Sequence, residues 1–267
     1  MEHLLTIAGS DCSGGAGIQA DLKTFAALGG FGMSVITAVT VQNTRGVSNS
    51  QDVRPDIIAG QIEAVFDDIR VDCVKIGMVS CTAAISAIAG TLGRYPSTPV
   101  VLDPVMVSKN GFRLLSPDAV GALIQMLFPL ATMITPNIPE AELITGITIQ
   151  TTAGMAQAAR KLHNLGAPFV LIKGGHMVSD ATDVLYDGTN VRFFPAKKIQ
   201  TRHTHGTGCT LAAAIATFLA KSVPPADAVA LAKEYVADCI THALDIGKGA
   251  GPLHHMFPLY KKAGLVP

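Results

Sequence analysis

The amino-acid sequence predicts an α/β fold in which a mostly parallel central sheet carries helices on both faces. Short apolar runs alternate with segments of helical spacing along the chain, the order typical of parallel strands joined by helices. Strand candidates such as 170–172, which reads Val-Leu-Ile, are apolar throughout, as expected of strands buried on both sides. Hydrophobic residues make up 49% of the 267 residues and charged residues only 15%, so the chain can build a large core.

The spacing of hydrophobic residues, and the Gly and Pro residues between the periodic segments, define the predicted elements in order. A strand at 4–8 leads through a Gly/Ser loop at 9–17 into a helix at 18–28. The clearest amphipathic helix is 55–69, where apolar residues recur at helical spacing and Pro55 suits the first turn. The other predicted strands are 34–41, 73–76, 100–102, 131–135, 169–172 and an antiparallel pair within 183–195. The other predicted helices are 83–92, 117–127, 138–145, 152–165, 209–220 and 225–243.

The chain shows no linker, charge run or internal repeat, so we expect residues 1–267 to form one domain. The uncharged stretch 119–139 invites a membrane-spanning interpretation, but Pro129 would break such a helix. A helix ending near Phe128 and followed by a buried strand explains this stretch better. The first residues run directly into the strand at 4–8 without a basic region or cleavage site, so no signal peptide is indicated.

Charge and cysteine content narrow the class of protein. The 20 basic and 20 acidic residues cancel, which argues against a strongly basic nucleic-acid binder. The five cysteines are odd in number and show no CxxC spacing, so neither a disulfide framework nor a zinc ribbon is indicated. We therefore expect a cytoplasmic protein with small-molecule ligands. The low charge content also favours burial of surface against a second copy.

The strongest local motif is 204–210, which reads Thr-His-Gly-Thr-Gly-Cys-Thr and opens into an Ala-rich helix. Glycines that free successive N–H groups at a helix N-terminus form an anion site. Cys209 lies in the first turn, where a thiolate is favoured below the free pKa of about 8.5. The alternative is a Gly-rich loop that holds an inert, buried cysteine.

Two other nucleotide or metal motifs are weaker. Gly15-x-Gly17-x-x-Ala20 matches a dinucleotide fingerprint, but the second strand ends without the acidic residue that would hold a ribose. No GxxxxGK[ST] segment occurs, so a P-loop NTPase is not indicated. His203 and His205 have no third partner at a plausible spacing, which argues against zinc.

Polar residues follow several strands, at the end of the sheet where α/β proteins bind ligands. Asp103 follows 100–102, and the loop after it carries Lys109 and Arg113, which could cover phosphates as a lid. Asn137 and Glu140 could lie near Mg²⁺ or could simply form a helix capping box. An anion site with acids and cations around it is what phosphoryl transfer requires, because that reaction depends on positioning and charge neutralisation.

These motifs, taken together, resemble a known enzyme family. The segments 8–11, 14–21, 103–106, 135–137 with Glu140, and 206–210 resemble, in this order and nearly end to end, the bacterial hydroxymethylpyrimidine/phosphomethylpyrimidine kinases. These are thiamine-biosynthesis enzymes of the ribokinase superfamily. The resemblance implies a three-layer α/β/α ribokinase-like domain, ATP and Mg²⁺ as cofactors, and a homodimer.

The resemblance also implies roles for individual residues. The ATP γ-phosphoryl group would go first to 4-amino-5-hydroxymethyl-2-methylpyrimidine and then to its monophosphate. The catalytic anion hole would comprise Gly206, Thr207, Gly208 and Cys209, and the metal side Asp103 and Glu140. The pyrimidine side would comprise Gln42, Gly9, Asp21, Met78 and Val105. The nucleotide side would comprise Lys173, Thr204, Asn137 and Thr135, with Lys109 and Arg113 as the lid.

Two alternatives stay open at this point. Related pyridoxal kinases are one, and some of them carry a second cysteine in the lid where this chain has Ser108. Gln42 favours a pyrimidine, because its amide can both donate to and accept from an aminopyrimidine edge. The other alternative is a non-catalytic pyrimidine sensor on the same fold. Asp103, Glu140 and Cys209 argue against it, because binding alone does not require them.

Overall fold

The computed structural model describes residues 1–108, 110–175 and 181–266. Within these residues, nine strands form one sheet in the order β3-β2-β1-β4-β5-β6-β7-β8-β9. The strands are β1 (His3–Asp11), β2 (Phe31–Asn43), β3 (Gly46–Asp52), β4 (Cys73–Ile76), β5 (Val100–Leu102), β6 (Met133–Ile134), β7 (Phe169–Ile172), β8 (Asp183–Tyr186) and β9 (Val191–Phe194).

The central strands run parallel, as the alternation of apolar runs and helices predicts. β2, β1, β4, β5, β6 and β7 pair in parallel with their neighbours. β3 pairs antiparallel with β2 at one edge, and β8 and β9 form an antiparallel pair beside β7 at the other. The carboxyl ends of the parallel strands therefore meet on one side of the sheet.

Helices cover both faces of this sheet. They are α1 (Gly17–Ala27), α2 (Pro55–Asp68), α3 (Thr82–Leu92), α4 (Ala119–Ala122), α5 (Ile138–Thr145), α6 (Thr152–His163), α7 (Thr207–Ala220), α8 (Pro225–Thr241) and α9 (Phe257–Lys262). Helices α2 to α6 pack on one face and contribute to one apolar core. Helices α1, α7 and α8 pack on the other face and form a second core.

Alternation along each strand divides the side chains between the two cores, because successive strand residues point to opposite faces. In β5, Val100 and Leu102 belong to the α2–α6 core, whereas Val101 belongs to the α1/α7/α8 core. In β4, Val74 and Ile76 face the first core, so Lys75 between them faces the second. A charged side chain is thereby placed inside an apolar layer.

The structure departs from the sequence-based elements at several places. β1 extends to Asp11, so the loop before α1 is shorter than predicted, and β2 extends to Asn43. β3 was not predicted because its sequence, GVSNSQD, is polar and carries no apolar alternation. Polar residues suit this edge position, where a strand has one unpaired side. The terminal helix α9 was also not predicted.

The uncharged stretch 119–139 forms neither a membrane helix nor a regular α-helix. α4 continues into a π-helical turn at Leu123–Leu127 and a 3₁₀ turn at Phe128–Leu130, with Pro129 in that last turn. The strand that follows is only Met133–Ile134, shorter than predicted. Across the described residues, no helix combines the length and the apolarity needed to cross a bilayer.

Candidate active site

A cavity of about 610 Å³ opens at the carboxyl ends of the parallel strands. This is the volume range of small-molecule sites and the expected location in an α/β fold. Its lining includes most of the residues singled out from the sequence, namely Gly9, Gln42, Met78, Asp103, Val105, Asn137, Glu140, Lys173, Gly206, Thr207, Gly208 and Cys209. The fold therefore brings together side chains that are up to 200 positions apart in the chain.

The Gly-rich loop before α7 forms one wall of the cavity. Gly206 is the N-cap of α7 and has a φ of 85°, a left-handed conformation that favours glycine. A Cβ at Gly206 would lie only 1.9 Å from the carbonyl oxygen of Gly15, so the loop before α1 packs directly against it. The free N–H groups of the first turn of α7 thus open into the cavity, where they and the helix dipole favour an anion.

An ion pair lies beside this helix N-terminus. Lys173 Nζ, just after β7, is 2.5 Å from Asp103 Oδ1, just after β5. A Cβ at Gly208 would lie 3.3 Å from Lys173 Nζ and 3.4 Å from Asp103 Oδ2. Glycine at this position therefore keeps the space between the anion loop and the ion pair open.

Thr135 supports this pair and does not line the cavity. It is fully buried, and its hydroxyl donates to Asp103 Oδ1 at 3.1 Å. The structure thus places Thr135, a predicted nucleotide-binding residue, against the carboxylate of Asp103 and outside the described cavity lining. Thr204 is likewise absent from the described cavity lining, and its carbonyl accepts from the Thr207 hydroxyl at 2.8 Å.

Glu140 and Asn137 form the capping box that the sequence allowed as one of two interpretations. Asn137 Oδ1 accepts from the Glu140 N–H at 2.9 Å, and Glu140 Oε2 accepts from the Asn137 N–H at 2.8 Å. Both residues also line the cavity. Burial raises the pKa of Glu140 to about 7, with Lys173 opposing the shift and Asp103 adding to it.

Cys209 lies in the first turn of α7, but its thiol is not activated as predicted. Burial raises the pKa of Cys209, and the nearby positive charge of Lys75 and the N–H of Gly17 only partly oppose this shift. The expectation of a lowered pKa was wrong, because it counted the helix N-terminus and not the loss of water around the sulfur. At neutral pH the neutral thiol is therefore the favoured form.

Beneath Cys209 lies a buried ion pair between α1 and β4. Lys75 Nζ is 2.8 Å from Asp21 Oδ2, both side chains are fully buried, and Thr6 donates to the same carboxylate oxygen at 2.6 Å. Asp21, which was predicted to line the pyrimidine pocket, points into the α1/α7/α8 core toward Lys75 and is not among the described residues that line the cavity. The sequence signal for this pair was a lysine inside an otherwise apolar strand.

A second polar cluster, also missed from the sequence, joins the anion loop to β2. His205 Nε2 lies 2.8 Å from Asp11 Oδ2 and 3.2 Å from the side-chain amide of Gln42. Thr40 completes the cluster, with its hydroxyl 3.1 Å from that amide. All four residues line the cavity. His205 was considered only as a metal ligand, and its acidic partner, Asp11, is 194 residues away in the chain.

The predicted lid is only partly described. Lys109 lies outside the described residues. Arg113 is exposed, and its backbone pairs with Val107 in an isolated β-bridge. Loop residues near the C-terminus, Gly249 and Ala250, also line the cavity and were not predicted. They reach it because the backbone N–H of Ala250 donates to Thr44 O at 2.8 Å.

Comparison with known proteins identifies close relatives of this chain. The hydroxymethylpyrimidine/phosphomethylpyrimidine kinase of Rhizobium meliloti is 54% identical over 261 residues, which cover 96% of this chain and 98% of the relative. The thiamine biosynthesis bifunctional protein ThiED of Geobacter sulfurreducens is 52% identical over 95% of this chain. The chain spans about half of that protein's length, 52%.

Solved structures give the same picture of the fold. The crystal structure of an ADP complex of Bacillus subtilis pyridoxal kinase matches with a TM-score of 0.89 and 38% identity, over 97% of this chain and 99% of that one. The predicted three-layer, ribokinase-like α/β fold is therefore confirmed. The sequence model of phosphomethylpyrimidine kinases matches residues 11–254, and the Rhizobium meliloti relative is covered over 98% of its length, so the chain belongs to the phosphomethylpyrimidine kinase family.

Proposed function

We propose that this protein transfers the γ-phosphoryl group of ATP to 4-amino-5-hydroxymethyl-2-methylpyrimidine and then to the resulting monophosphate. One observation carries the proposal. The helix N-terminus at 206–209, the Asp103–Lys173 pair and the amide of Gln42 all line a single cavity. That cavity offers an anion site, neutralising charges and a group suited to an aminopyrimidine edge.

The acceptor pyrimidine lies, in this proposal, between Gln42 and Cys209. Gly9, Met78 and Val105 supply the other contacts on this side of the cavity. A Cβ at Gly9 would lie 2.9 Å from the Met78 sulfur, so glycine there lets Met78 close over a flat ring. The hydroxymethyl oxygen then faces the first turn of α7, beside the transferred phosphoryl group.

The nucleotide lies on the side of Lys173 and Asn137, with its terminal phosphates on the N–H groups at 206–209. Lys173 neutralises phosphate charge and is held in place by Asp103. The anion hole stabilises the charge that develops on the transferred group, and this stabilisation is the main contribution of a kinase site.

Asp103 and Glu140 fit a hydrated Mg²⁺ bound largely through the phosphates. In the described part of the chain, no three His, Cys, Asp or Glu side chains gather into a metal site by themselves. Mg²⁺ in kinases commonly binds one or two carboxylates, keeps several waters and takes its remaining ligands from phosphate. The ion would neutralise phosphate charge, and Glu140, with its carboxylate held by the capping box, would contact its water shell.

Both transfers use the same anion loop in this proposal. The monophosphate must be turned so that its phosphate oxygen takes the position of the hydroxyl. Lys109 and Arg113, in the loop after β5, are the proposed cover for the added negative charge.

Acceptor choice tests the proposal. Purified protein with ATP and Mg²⁺ should form the pyrimidine diphosphate from the hydroxymethylpyrimidine by way of the monophosphate. Pyridoxal, the acceptor named for the Bacillus subtilis structural relative, is the competing substrate. A protein that phosphorylates pyridoxal and leaves the pyrimidine untouched would overturn the proposal.

Gln42→Met separates the two acceptors further. The variant should weaken binding of the pyrimidine by about 1–3 kcal/mol, because the ring's polar edge then lies buried without partners. Pyridoxal has no matching donor–acceptor edge, so any activity on it should persist. Equal losses of binding for both acceptors would show that Gln42 maintains the shape of the pocket and does not recognise the polar edge of the ring.

A further inference from the structure

Gln42 does not act alone, because its amide belongs to a chain of hydrogen bonds that begins at Asp11. Asp11 ends β1, is 2% exposed, and accepts hydrogen bonds from backbone N–H groups of the following loop. His205 Nε2 is 2.8 Å from Asp11 Oδ2 and 3.2 Å from Nε2 of the Gln42 amide, whose Oε1 lies toward Thr40. One ring nitrogen therefore contacts both a carboxylate and the amide.

The ionised state of Asp11 determines where the proton on His205 lies. Burial alone would raise the pKa of Asp11, but hydrogen bonds from His205 and Ser13 outweigh it and lower the pKa to about 2. A bare ring nitrogen at 2.8 Å from a carboxylate would bring two lone pairs together. Nε2 of His205 therefore carries a hydrogen and donates to Asp11. It cannot also accept from Gln42 Nε2, which lies 3.2 Å away. A half-turn of the amide, which exchanges its nitrogen and oxygen, removes this conflict, and the oxygen then shares the ring hydrogen with Asp11 in a three-centre bond.

Thr40 can accommodate the same orientation of the amide, because its hydroxyl has a second acceptor beside it. Its hydroxyl lies 2.9 Å from the carbonyl oxygen of Ser10 and 3.1 Å from the Gln42 amide. A hydroxyl has one hydrogen, and the carbonyl of Ser10 can only accept. When the hydroxyl donates to Ser10 it can only accept from the amide, so after the half-turn the NH₂ group of Gln42 donates to the hydroxyl. One N–H and one oxygen lone pair of the amide then remain for a ligand.

We propose that Asp11 and His205 are positioning residues for substrate specificity, which fix the amide of Gln42 in the single orientation that matches a 4-aminopyrimidine edge. This inference rests on the proposed function. The remaining N–H of Gln42 pairs with the ring nitrogen, and the remaining lone pair accepts from the 4-amino group. A pyrimidin-4-one with the same substituents presents an N–H and a carbonyl at these positions, and would require the reversed amide.

The test compares dissociation constants for the aminopyrimidine and its 4-oxo analogue, measured calorimetrically with a non-hydrolysable ATP analogue and Mg²⁺ present. The wild-type protein should prefer the amino compound by about 10- to 100-fold, the range expected when a buried polar partner is lost. His205→Leu removes the donor to Gln42 and lets the amide rotate. The preference should then fall to within about threefold of unity, mainly through tighter binding of the 4-oxo analogue.

Two further variants make the result specific. His205→Gln can again place an N–H near Asp11 and should restore much of the preference. His203→Leu, two residues away and outside the described cavity lining, should keep the full wild-type preference. If His205→Leu does not fold, His205→Asn replaces it, because its shorter amide does not reach Asp11.

The possible failures are distinguishable. An unchanged preference in a folded His205→Leu or His205→Asn protein would overturn the positioning role, as would equal losses of affinity for both ligands. A wild-type protein that binds neither pyrimidine would instead overturn the proposed function.

Discussion

At the scale of single residues, Cys209 shows how burial changes the chemistry expected from a motif. Its position in the first turn of α7 favours a thiolate, yet the loss of solvent raises its pKa. The neutral thiol can hold the acceptor hydroxyl in line. It can take up the hydroxyl proton only as the thiolate, after its own proton has passed to solvent or to a phosphate oxygen. Its contribution should therefore depend on the acceptor.

Cys209→Ala should slow the first transfer by about 10²- to 10⁴-fold, the usual range for a lost acid–base group. The second transfer should slow much less, because the monophosphate is already an anion. Initial rates with each acceptor measure both effects. Cys81→Ala is the matched control, because Cys81 is half-buried at the N-cap of α3 and should leave both rates unchanged. Equal losses in both transfers would mean that Cys209 acts only through the shape of the loop.

The Asp21–Lys75 pair concerns stability more directly than binding. Removing one member of a buried ion pair leaves an uncompensated charge, which costs about 3–5 kcal/mol. Lys75→Met should lower the free energy of unfolding by about this amount, measured by urea denaturation. The double variant Asp21→Asn/Lys75→Met removes both charges and should recover much of the loss. If the free energy of unfolding of Lys75→Met lies within about 1 kcal/mol of the wild-type value, water or another cation must reach Asp21.

At the scale of elements, the N-terminus of α7 depends on close contact with the loop before α1. Gly206 has a left-handed φ, and its Cα lies against the carbonyl of Gly15. The helix can point its free N–H groups into the cavity only while these two loops touch. The anion site thus belongs to two segments of the chain, and the motif at 204–210 supplies only one of them.

Gly206→Ala should destabilise the protein by roughly 1–3 kcal/mol through backbone strain alone, and more through the clash at Gly15. ADP affinity should fall with it, because the first turn of α7 must shift. Calorimetric titration and thermal unfolding measure the two effects. Gly90→Ala in α3 is the control, since a Cβ there meets nothing within 4 Å, and it should leave ADP affinity unchanged. Unaltered ADP binding in Gly206→Ala would place the nucleotide elsewhere.

At the scale of the whole molecule, a buried histidine should make stability depend on pH. His255 is 3% exposed and 3.0 Å from the hydroxyl of Thr210 in α7. Burial, and then the positive charge of Lys23, lower its pKa from 6.5 to about 4. Between these values the unfolded chain binds a proton that the folded chain does not. The stability contributed by neutral His255 is therefore complete above pH 6.5 and is lost as the pH falls toward 4.

The expected loss is about 3 kcal/mol across that interval, at about 1.4 kcal/mol per pKa unit. Glu140 acts in the opposite direction, because its folded pKa is raised to about 7 and its protonation stabilises the fold as the pH falls. The measurement is thus the difference in free energy of unfolding between wild type and His255→Gln at several pH values. The contribution of Glu140 cancels in this difference. Below pH 6.5 the free energy of unfolding should therefore fall more for the wild type than for His255→Gln. A difference that is constant with pH would show that His255 is not protonated on unfolding.

Sequence alone determined most of the order of elements and much of the candidate site. Apolar strands such as 170–172 and the amphipathic helix at 55–69 carry their own periodicity, so their existence does not depend on distant residues. The Gly-rich motif at 204–210 and the polar residues after each strand likewise mark their positions locally. A parallel sheet then necessarily brings its carboxyl strand ends to one side, and so brings Asp103 and Lys173 together.

Only the tertiary structure decided the protonation of Cys209, the burial of Asp21 and the partners of His205. Each of these depends on which distant side chains and how much solvent surround a group, and no local pattern contains that information. β3 was not predicted for the same reason. Its residues are polar, and they form a strand because they pair with the edge of β2. Periodicity is a property of neighbouring residues, whereas dielectric environment and hydrogen-bond partners are properties of the folded chain.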